Sequence, residues 1–184
     1  EKLLKASNVS TEGIYPMVRG RVVGLNDMTL EEALDENQQR VGAVRRELNL
    51  TWMANVPKAN KVTQGEWWSE ADVADDRAEL SVGEELAERL GLEIGDVLKF
   101  SIGGLEVEGE ITNLRSIQWD SFQPNFFIIF EPGGLDGFPA SYITSFHLPV
   151  EDKPVLNQIL RQMPTVTIIE LDAIMEQVQS ILDQ

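Results

Sequence analysis

WDSFQPNFFIIF (residues 119–130) is a polar turn with aromatic flanks that runs through a proline into an almost uninterrupted apolar segment. A strand with one face in solvent alternates apolar and polar residues, whereas a continuous apolar run indicates burial on both faces. Pro124 fixes its own φ and favours an extended conformation at Gln123, so the chain enters the strand rigidly. The segment therefore predicts a strand at 125–130 that is buried on both faces, and it offers no catalytic group.

The clearest local pattern upstream of this strand lies at residues 80–114. Ser81 and Glu84 have the spacing of a helix N-terminal capping box, and Gly91 is placed to end that helix. Alternating apolar residues then predict two strands joined by a two-residue hairpin at Gly103-Gly104, with both apolar rows on one face. Local signals in this region agree with one another, which is typical of a stable helix–strand–hairpin unit.

The remaining segments complete a mixed order of elements. Leu48, Leu50 and Trp52 predict the buried face of a strand whose solvated face carries Glu47, Asn49 and Thr51. Further predictions are a strand at 14–25, a helical segment at 29–44 capped by Thr29, a surface connection at 54–78, a strand at 141–148, a helix at 153–163, a strand at 165–171 and a last helix capped by Asp172. This order is not a repeated βα unit, so it predicts an α+β fold with largely antiparallel or mixed sheets.

Composition narrows the classes of partner. The chain has 184 residues, ordinary apolar and charged fractions of 42% and 25%, and a formal net charge of −16. Such acidity argues against nucleic acid and against direct attraction to anionic lipid head groups. Cysteine is absent, which removes disulfides and thiolate nucleophiles, and no window approaches the roughly 18 apolar residues of a membrane helix. Both ends look cut, which predicts a piece of a longer protein.

The residues that could carry chemistry form no catalytic constellation. His147 is the only histidine, and a structural or surface role fits it better than catalysis, which needs several polar partners. The acids around Asp72 lack the spacing of a calcium loop and are read as a solvated surface. No Gly-x-Ser-x-Gly elbow, P-loop or dinucleotide fingerprint is present. We therefore predict no catalytic residue, no metal site and no cofactor.

Aromatic residues at the ends of elements are the candidates for contact with a partner or ligand. Two adjacent tryptophans, Trp67 and Trp68, stand in a loop of glycine and acids, where one short element does not easily bury both. The alternatives are that the tryptophans pack in the core and that the arginines pair with acids. The predicted contact residues are Trp67, Trp68, Trp119, Asp120, Phe122 and Pro124, with Arg19 and Arg21 as polar contacts.

Several strings, in order, resemble one family. These are YPMVRGR (15–21), RELNLTW (46–52), residues 80–100, Leu114-Arg115, WDSFQPNFFIIF (119–130) and residues 142–148. Together they are similar to the periplasmic region of FtsX/MacB-type ABC transporter permeases, specifically the YbbP-like branch. The resemblance covers nearly the whole chain, with RELNLTW and WDSFQPNFF as the strings that mark the branch.

The resemblance implies a two-lobed, MacB-like fold. A porter-like α+β lobe would consist of residues 1–35 and 140–184, and a β-rich, sabre-like lobe of residues 36–139 would be inserted between them. The chain would be a periplasmic domain of a bacterial inner-membrane protein, with membrane helices on both sides. Such permeases work with a cytoplasmic ATPase subunit and are associated with a periplasmic lysophospholipase/thioesterase.

The function that the resemblance implies is mechanotransmission. ATP hydrolysis in the cytoplasm would be relayed as movement of the periplasmic domain, for extraction or export of a lipid or other hydrophobic compound, and this domain would not be an enzyme. Two other classes remain open from the residues alone. One is a soluble module that binds an acyl chain or lipid, and the other is a freestanding lipid hydrolase, for which His147 would be the only neutral-pH base.

Overall fold

The computed structural model describes residues 13–69, 77–121, 123–149 and 153–171. The chain divides into two compact units, one of residues 12–145 and one of residues 1–11 and 146–184. The first strand of the larger unit pairs with strands from residues 36–139, the range assigned by the resemblance to a separate lobe. The division into porter-like and sabre-like lobes at residues 35 and 140 stays a prediction.

The described residues of the larger unit form nine strands and three short helices. The strands are β1 (Tyr15–Leu25), β2 (Met28–Thr29), β3 (Leu48–Trp52), β4 (Asn60–Gly65), β5 (Ala78–Gly83), β6 (Val97–Ile102), β7 (Leu105–Ile117), β8 (Ile128–Phe130) and β9 (Ser141–Ile143). The helices are α1 (Leu30–Ala33), α2 (Gly42–Arg45) and α3 (Glu84–Leu90), and single 3₁₀ turns lie at Gln38–Arg40 and Trp119–Ser121. The fold is thus a mixed α+β fold dominated by strands, as the sequence predicts.

Six of the strands close into a ring in the order β1, β3, β8, β5, β7, β6 and back to β1. The β3–β8 and β5–β7 pairs are parallel and the other four pairs of the ring are antiparallel, so the sheet is mixed. β2 and β9 pair with β1, and β4 pairs with the C-terminal half of β7. Closure leaves the ring strands without free edges, and β4 lies at one end of the strand order.

The interior of the ring is the main core. Side chains that alternate along each strand point inward and are almost completely buried, among them Val18, Leu50, Leu80, Val82, Leu98, Phe100, Ile111, Ile128 and Phe130. The rings of Phe100 and Phe130 lie 5.2 Å apart and tilted by 58°, an arrangement that aromatic pairs favour. The interior is therefore filled by side chains.

A second apolar cluster covers part of the outer face of the ring. It consists of Met53, Trp68, Phe126 and Ile129, with Tyr15, Met17 and Trp67 packed against it. Ile128 and Phe130 point into the ring, whereas Ile129 points outward into this cluster. The prediction that the 125–130 segment forms a strand buried on both faces is confirmed, although the strand itself is only Ile128–Phe130.

The helix and hairpin predicted at 80–114 are present, but the predicted start of the helix is wrong. Gly91 ends α3 in a left-handed conformation with φ 68°, and Gly103-Gly104 forms the hairpin with positive φ at both residues. Ser81, predicted to cap the helix, lies inside β5, and Gly83 is the N-cap. The reason is tertiary: β5 is held between β7 and β8, and those pairings keep residues 81–83 extended.

The solvated face predicted for β3 is also partly wrong. Asn49 is exposed, but Thr51 is completely buried and its hydroxyl donates to the carbonyl of Pro16 at 2.6 Å. β3 lies between β1 and β8, and its outer face approaches the second cluster at this point. The second cluster, which the local pattern does not reveal, thus covers Thr51 on the outer face.

Local sequence patterns predicted several other segments only in part. The 29–44 segment is broken into α1, a 3₁₀ turn and α2, although Thr29 does form a capping box with Glu32. The backbone N–H and the hydroxyl of Thr29 both donate hydrogen bonds to the carboxylate of Glu32, and these bonds lower its pKa. The 54–78 connection contains the unpredicted strand β4, and the strand predicted at 141–148 is reduced to β9.

In the smaller unit the described residues are 146–149 and 153–171. Helix α4 (Pro154–Gln162) confirms the helix predicted at 153–163, and its buried residue Ile159 packs against Phe146, Leu148, Val155, Met163 and Ile168. The strand predicted at 165–171 is absent from the described residues. The last predicted helix, capped by Asp172, lies outside the described residues.

Candidate functional site

Trp67 and Trp68 lie in the segment that follows β4, on the outer face of the ring. Their rings are 4.0 Å apart, and each indole N–H donates to a backbone carbonyl: Trp67 to Ala54 at 3.0 Å and Trp68 to Met53 at 2.8 Å. Trp68 is only 7% exposed and belongs to the second cluster, while Trp67 is half-buried against it. Trp68 is therefore a core residue, and the surface available at this pair belongs to Trp67.

Trp119, in contrast to Trp68, is exposed. It begins the 3₁₀ turn that follows β7, it is 46% exposed, and its ring packs on Phe127 at 4.8 Å and 55°. The next residue, Asp120, is exposed, and Pro124 is half-buried. Phe122, the remaining predicted contact in this stretch, lies outside the described residues. Among the predicted contacts that the structure describes, Trp119 is the most exposed aromatic residue, and it is followed in sequence by the carboxylate of Asp120.

Arg19 and Arg21 are exposed on the outer face of β1, opposite Asn49 and Ser101 on the neighbouring strands. None of the ion pairs between described residues involves either guanidinium. The structure thus brings Trp67 and Trp68 together and seats Trp119 on Phe127. Within the described part of the chain, no recorded contact joins the two arginines to either aromatic pair.

Arg115 was not predicted and is the most unusual side chain beneath this surface. It is completely buried, and its terminal nitrogens donate to Asn60 Oδ1 at 2.9 Å and to the carbonyl of Phe126 at 2.6 Å. Burial lowers the pKa of Arg115 to about 9, so the guanidinium is still protonated at neutral pH. No ion pair among the described residues supplies it with a carboxylate.

A chain of hydrogen bonds continues from Asn60, one of the two partners of Arg115, to the turn around Trp119. Asn60 donates to Asn125 Oδ1 at 3.1 Å, and Asn125 donates in turn to the carbonyl of Gln118 at 3.1 Å and to Ser121 Oγ at 3.3 Å. We call Arg115, Asn60 and Asn125 the Arg115 network, and residues 118–121 and 123–127 the Trp119 turn. The network ties both ends of the Trp119 turn to β4 and β7.

Only a tertiary feature places Arg115 in the interior. The pairing of β5 with β7 shifts register between Leu80 and Ser81, so that Ile111 and Leu114 point into the ring while Asn113 points out. Arg115 shares the outward face of Asn113, which the Trp119 turn covers. A bulge of this kind leaves no clear mark in the amino-acid pattern, although Leu114-Arg115 is one of the strings that carry the resemblance.

Removal of the Asn125 side-chain amide tests how firmly the Trp119 turn is held. We expect Asn125→Ala to lower the free energy of unfolding by about 1–3 kcal/mol, because three hydrogen bonds are lost and Asn60 loses its acceptor. Urea unfolding monitored by circular dichroism measures the change. Asn49→Ala, at an exposed strand position, is the matched control and should change stability by less than about 0.5 kcal/mol. Equal effects of the two substitutions would contradict the network.

The described residues contain no group of three or more His, Cys, Asp or Glu side chains that could hold a metal ion. His147 is exposed, as a surface histidine would be. Within the same residues, no helix combines the length and apolar character needed to cross a bilayer. The structure does display Trp119 on a turn that the Arg115 network holds.

Comparison with known proteins shows what the chain is similar to. No family model matches the chain. A curated protein of Escherichia coli (strain K12), described as "Uncharacterized ABC transporter permease YbbP", is 38% identical over 175 residues, which is 95% of the chain. The chain spans 20% of the length of that relative. The resemblance predicted from the motifs is confirmed: over almost its whole length, this chain is similar to one domain-sized part of a YbbP-type ABC transporter permease.

Proposed function

We propose that the chain is a non-catalytic periplasmic domain of an ABC transporter permease and that it transmits ATP-driven movement from the membrane to the periplasm. The observation that carries this proposal is the 38% identity over 95% of the chain but only 20% of the permease. A segment of that extent corresponds to one domain-sized part of such a permease. The proposal assigns it the FtsX/MacB-like role of a moving domain outside the membrane.

The closed ring supports a mechanical role. Force is transmitted best by an element that moves without deforming, and close-packed protein interiors are stiff and transmit strain. The ring has no free edge among its six strands, and its interior is filled by residues such as Phe100, Phe130 and Leu80, each with 0% of its surface exposed. A rigid ring would carry a displacement that begins in the membrane to a contact surface on its outside.

The wider assembly in this proposal follows from the resemblance. A cytoplasmic ATPase subunit would drive the movement through the rest of the permease, and a periplasmic lysophospholipase/thioesterase would be the partner. The cargo would be a lipid or other hydrophobic compound that is extracted from the membrane or exported. Within this scheme the Trp119 turn and the exposed part of Trp67 are the contact surfaces, with Arg19 and Arg21 as polar contacts.

Placement in the periplasm can be tested with single cysteines, because the chain has none of its own. In a full-length, otherwise cysteine-free permease, Leu105→Cys should react with a membrane-impermeant maleimide in cells whose outer membrane alone is permeabilised. Leu105 is suitable because it is 66% exposed, and Leu80→Cys, at 0% exposure, is the control that should stay unlabelled. Reaction of Leu105→Cys only after the inner membrane is broken would place the domain on the cytoplasmic side.

Movement can be tested with the same variant. We expect energy transfer from a donor on Leu105→Cys to acceptor-labelled lipid head groups to change when the permease, in nanodiscs with its ATPase subunit, binds and hydrolyses ATP. The change reports displacement of the domain relative to the bilayer. A hydrolysis-deficient ATPase subunit is the control, since it separates nucleotide binding from turnover. Identical transfer in the nucleotide-free, ATP-bound and turnover states would contradict mechanotransmission.

A further inference from the structure

Arg115 is in an environment that ordinary core packing does not explain. A protonated guanidinium without a carboxylate partner is unfavourable in the interior, and here one of its nitrogens, Nε, is buried without a hydrogen-bond partner. Even buried ion pairs can often be replaced by apolar side chains of similar volume without loss of stability. What an apolar side chain could not provide is the pair of directed bonds to Asn60 and Phe126.

Those bonds have one structural result, which is the shape of the Trp119 turn. The Phe126 carbonyl is held by Arg115 at the end of the turn, and Asn125 holds the carbonyl of Gln118 at its start. A further bond from the Gln118 N–H to the carbonyl of Ala59, 2.9 Å long, fixes the start of the turn on the segment before β4. Trp119 is thus presented on a turn that is tied to the sheet at both ends.

We propose that the Trp119 turn is a preformed docking element for a protein partner, with Trp119 as the anchor and Arg115 as the residue that positions the turn. The partner surface has an apolar pocket that receives the indole and lysine or arginine side chains at the rim of that pocket. This inference rests on the proposed function, because it assigns one contact surface of the permease domain its partner chemistry. It adds a positioning residue that does not itself touch the partner.

The chemistry of the turn defines the partner. Tryptophan is among the residues that contribute most to binding energy at protein interfaces, particularly where its neighbours exclude water. Phe127 supports one face of the indole, and nearly half of the side chain remains available. Asp120 stands beside it on a chain with a net charge of −16, so a basic rim gives the complementary potential. The same charges repel an anionic bilayer, and a protein is therefore the better match.

A turn that is fixed before binding favours affinity for the partner. A loop that becomes ordered only on binding loses conformational entropy at that moment, and this loss subtracts from affinity. A turn already fixed by the Arg115 network avoids that loss. Disruption of the network should therefore weaken binding even though Trp119 and Asp120 are unchanged, whereas a purely structural role would alter stability and leave binding by the folded fraction intact.

Photo-crosslinking in the full-length permease tests the proposal. Benzoylphenylalanine replaces Gln118, whose side chain is exposed next to the anchor, and adducts with protein are quantified in cells. We expect an adduct that falls about tenfold or more with Trp119→Ala, as for an interface hot spot. Asp120→Lys and Asn125→Ala should each reduce it several-fold, while Leu105→Ala, at another exposed apolar side chain, should leave it unchanged.

Two further measurements keep the outcome decisive. Arg115→Met should reduce the adduct in protein that remains folded. If this variant does not fold, Asn125→Ala carries the test because the Asn125 side chain is only partly buried. The isolated chain is also floated with vesicles of phosphatidylethanolamine and phosphatidylglycerol. Binding to the vesicles that depends on Trp119 would identify a membrane as the ligand and overturn the proposal.

Absence of an adduct would also overturn the proposal. So would an adduct whose yield in the Trp119→Ala and Asn125→Ala variants equals the yield in the wild type. An adduct supports the proposal only when its yield falls both with Trp119→Ala and with Asn125→Ala. The proposed function is judged separately, since nucleotide-dependent energy transfer from position 105 does not require the Trp119 turn. A permease that moves with ATP but gives no Trp119-dependent adduct would retain its function and lose this docking element.

Discussion

Replacement of Trp68 with alanine is expected to lower the free energy of unfolding by about 3–5 kcal/mol, the usual effect of a large buried aromatic truncated in a core. Trp68 is 7% exposed, packs with Met53, Phe126 and Ile129, and donates its indole N–H to the Met53 carbonyl. Its loss opens a cavity on the outer face of the ring and leaves a carbonyl unpaired. Urea unfolding monitored by circular dichroism measures the change.

The matched control is Trp119→Ala, which removes the same side chain from a position that is 46% exposed. We expect this change to lower stability by about 1 kcal/mol, since the ring contact with Phe127 is lost from a side chain that is already nearly half exposed. The two substitutions thus separate a core tryptophan from a surface one. A Trp68→Ala variant as stable as Trp119→Ala would show that Trp68 is available for a partner, as the sequence alone suggested.

Replacement of Gly65 with alanine is the second change with a large expected effect. Gly65 has a φ of +73°, and a Cβ atom there would lie 2.2 Å from the carbonyl oxygen of Thr112 and 3.0 Å from Asn113 Cα. Both atoms belong to the backbone of β7, so they cannot rotate away. Strain from the positive φ, about 1–2 kcal/mol, and overpacking, about 1–3 kcal/mol, add to an expected destabilisation of about 2–5 kcal/mol.

Gly104→Ala separates the two contributions. Gly104 has a φ of +88°, but a Cβ atom there would meet nothing within 4 Å. Only the conformational strain applies, and we expect a loss of about 1–2 kcal/mol. Thermal or urea unfolding of the two variants provides the comparison. Equal destabilisation would mean that β4 moves away from β7 at little energetic cost, and the segment that carries Trp67 and Trp68 would then be less firmly held than the structure indicates.

Local rules account for the parts of the fold that the sequence determined. The Thr29–Glu32 capping box, the helix end at Gly91 and the Gly103-Gly104 hairpin each depend on residues a few positions apart, and all three are present. The continuous apolar run at 125–130 likewise identified a strand buried on both faces, because its composition alone excludes a solvated face. The family resemblance was carried by strings of the same kind.

Tertiary pairing decided the rest, because the partners are far apart in sequence. Ser81 lies in a strand and not in a helix cap, since β7 and β8 hold it extended. Thr51 is buried because it lies opposite Ile129, where the second cluster covers the outer face of the ring. The same holds at the candidate site. Trp67 and Trp68 look alike in sequence, yet only Trp68 is covered, and Arg115 becomes buried only when the Trp119 turn folds over the outer face of β7. Burial depends on which distant segments meet, and residue patterns within one element do not contain that information.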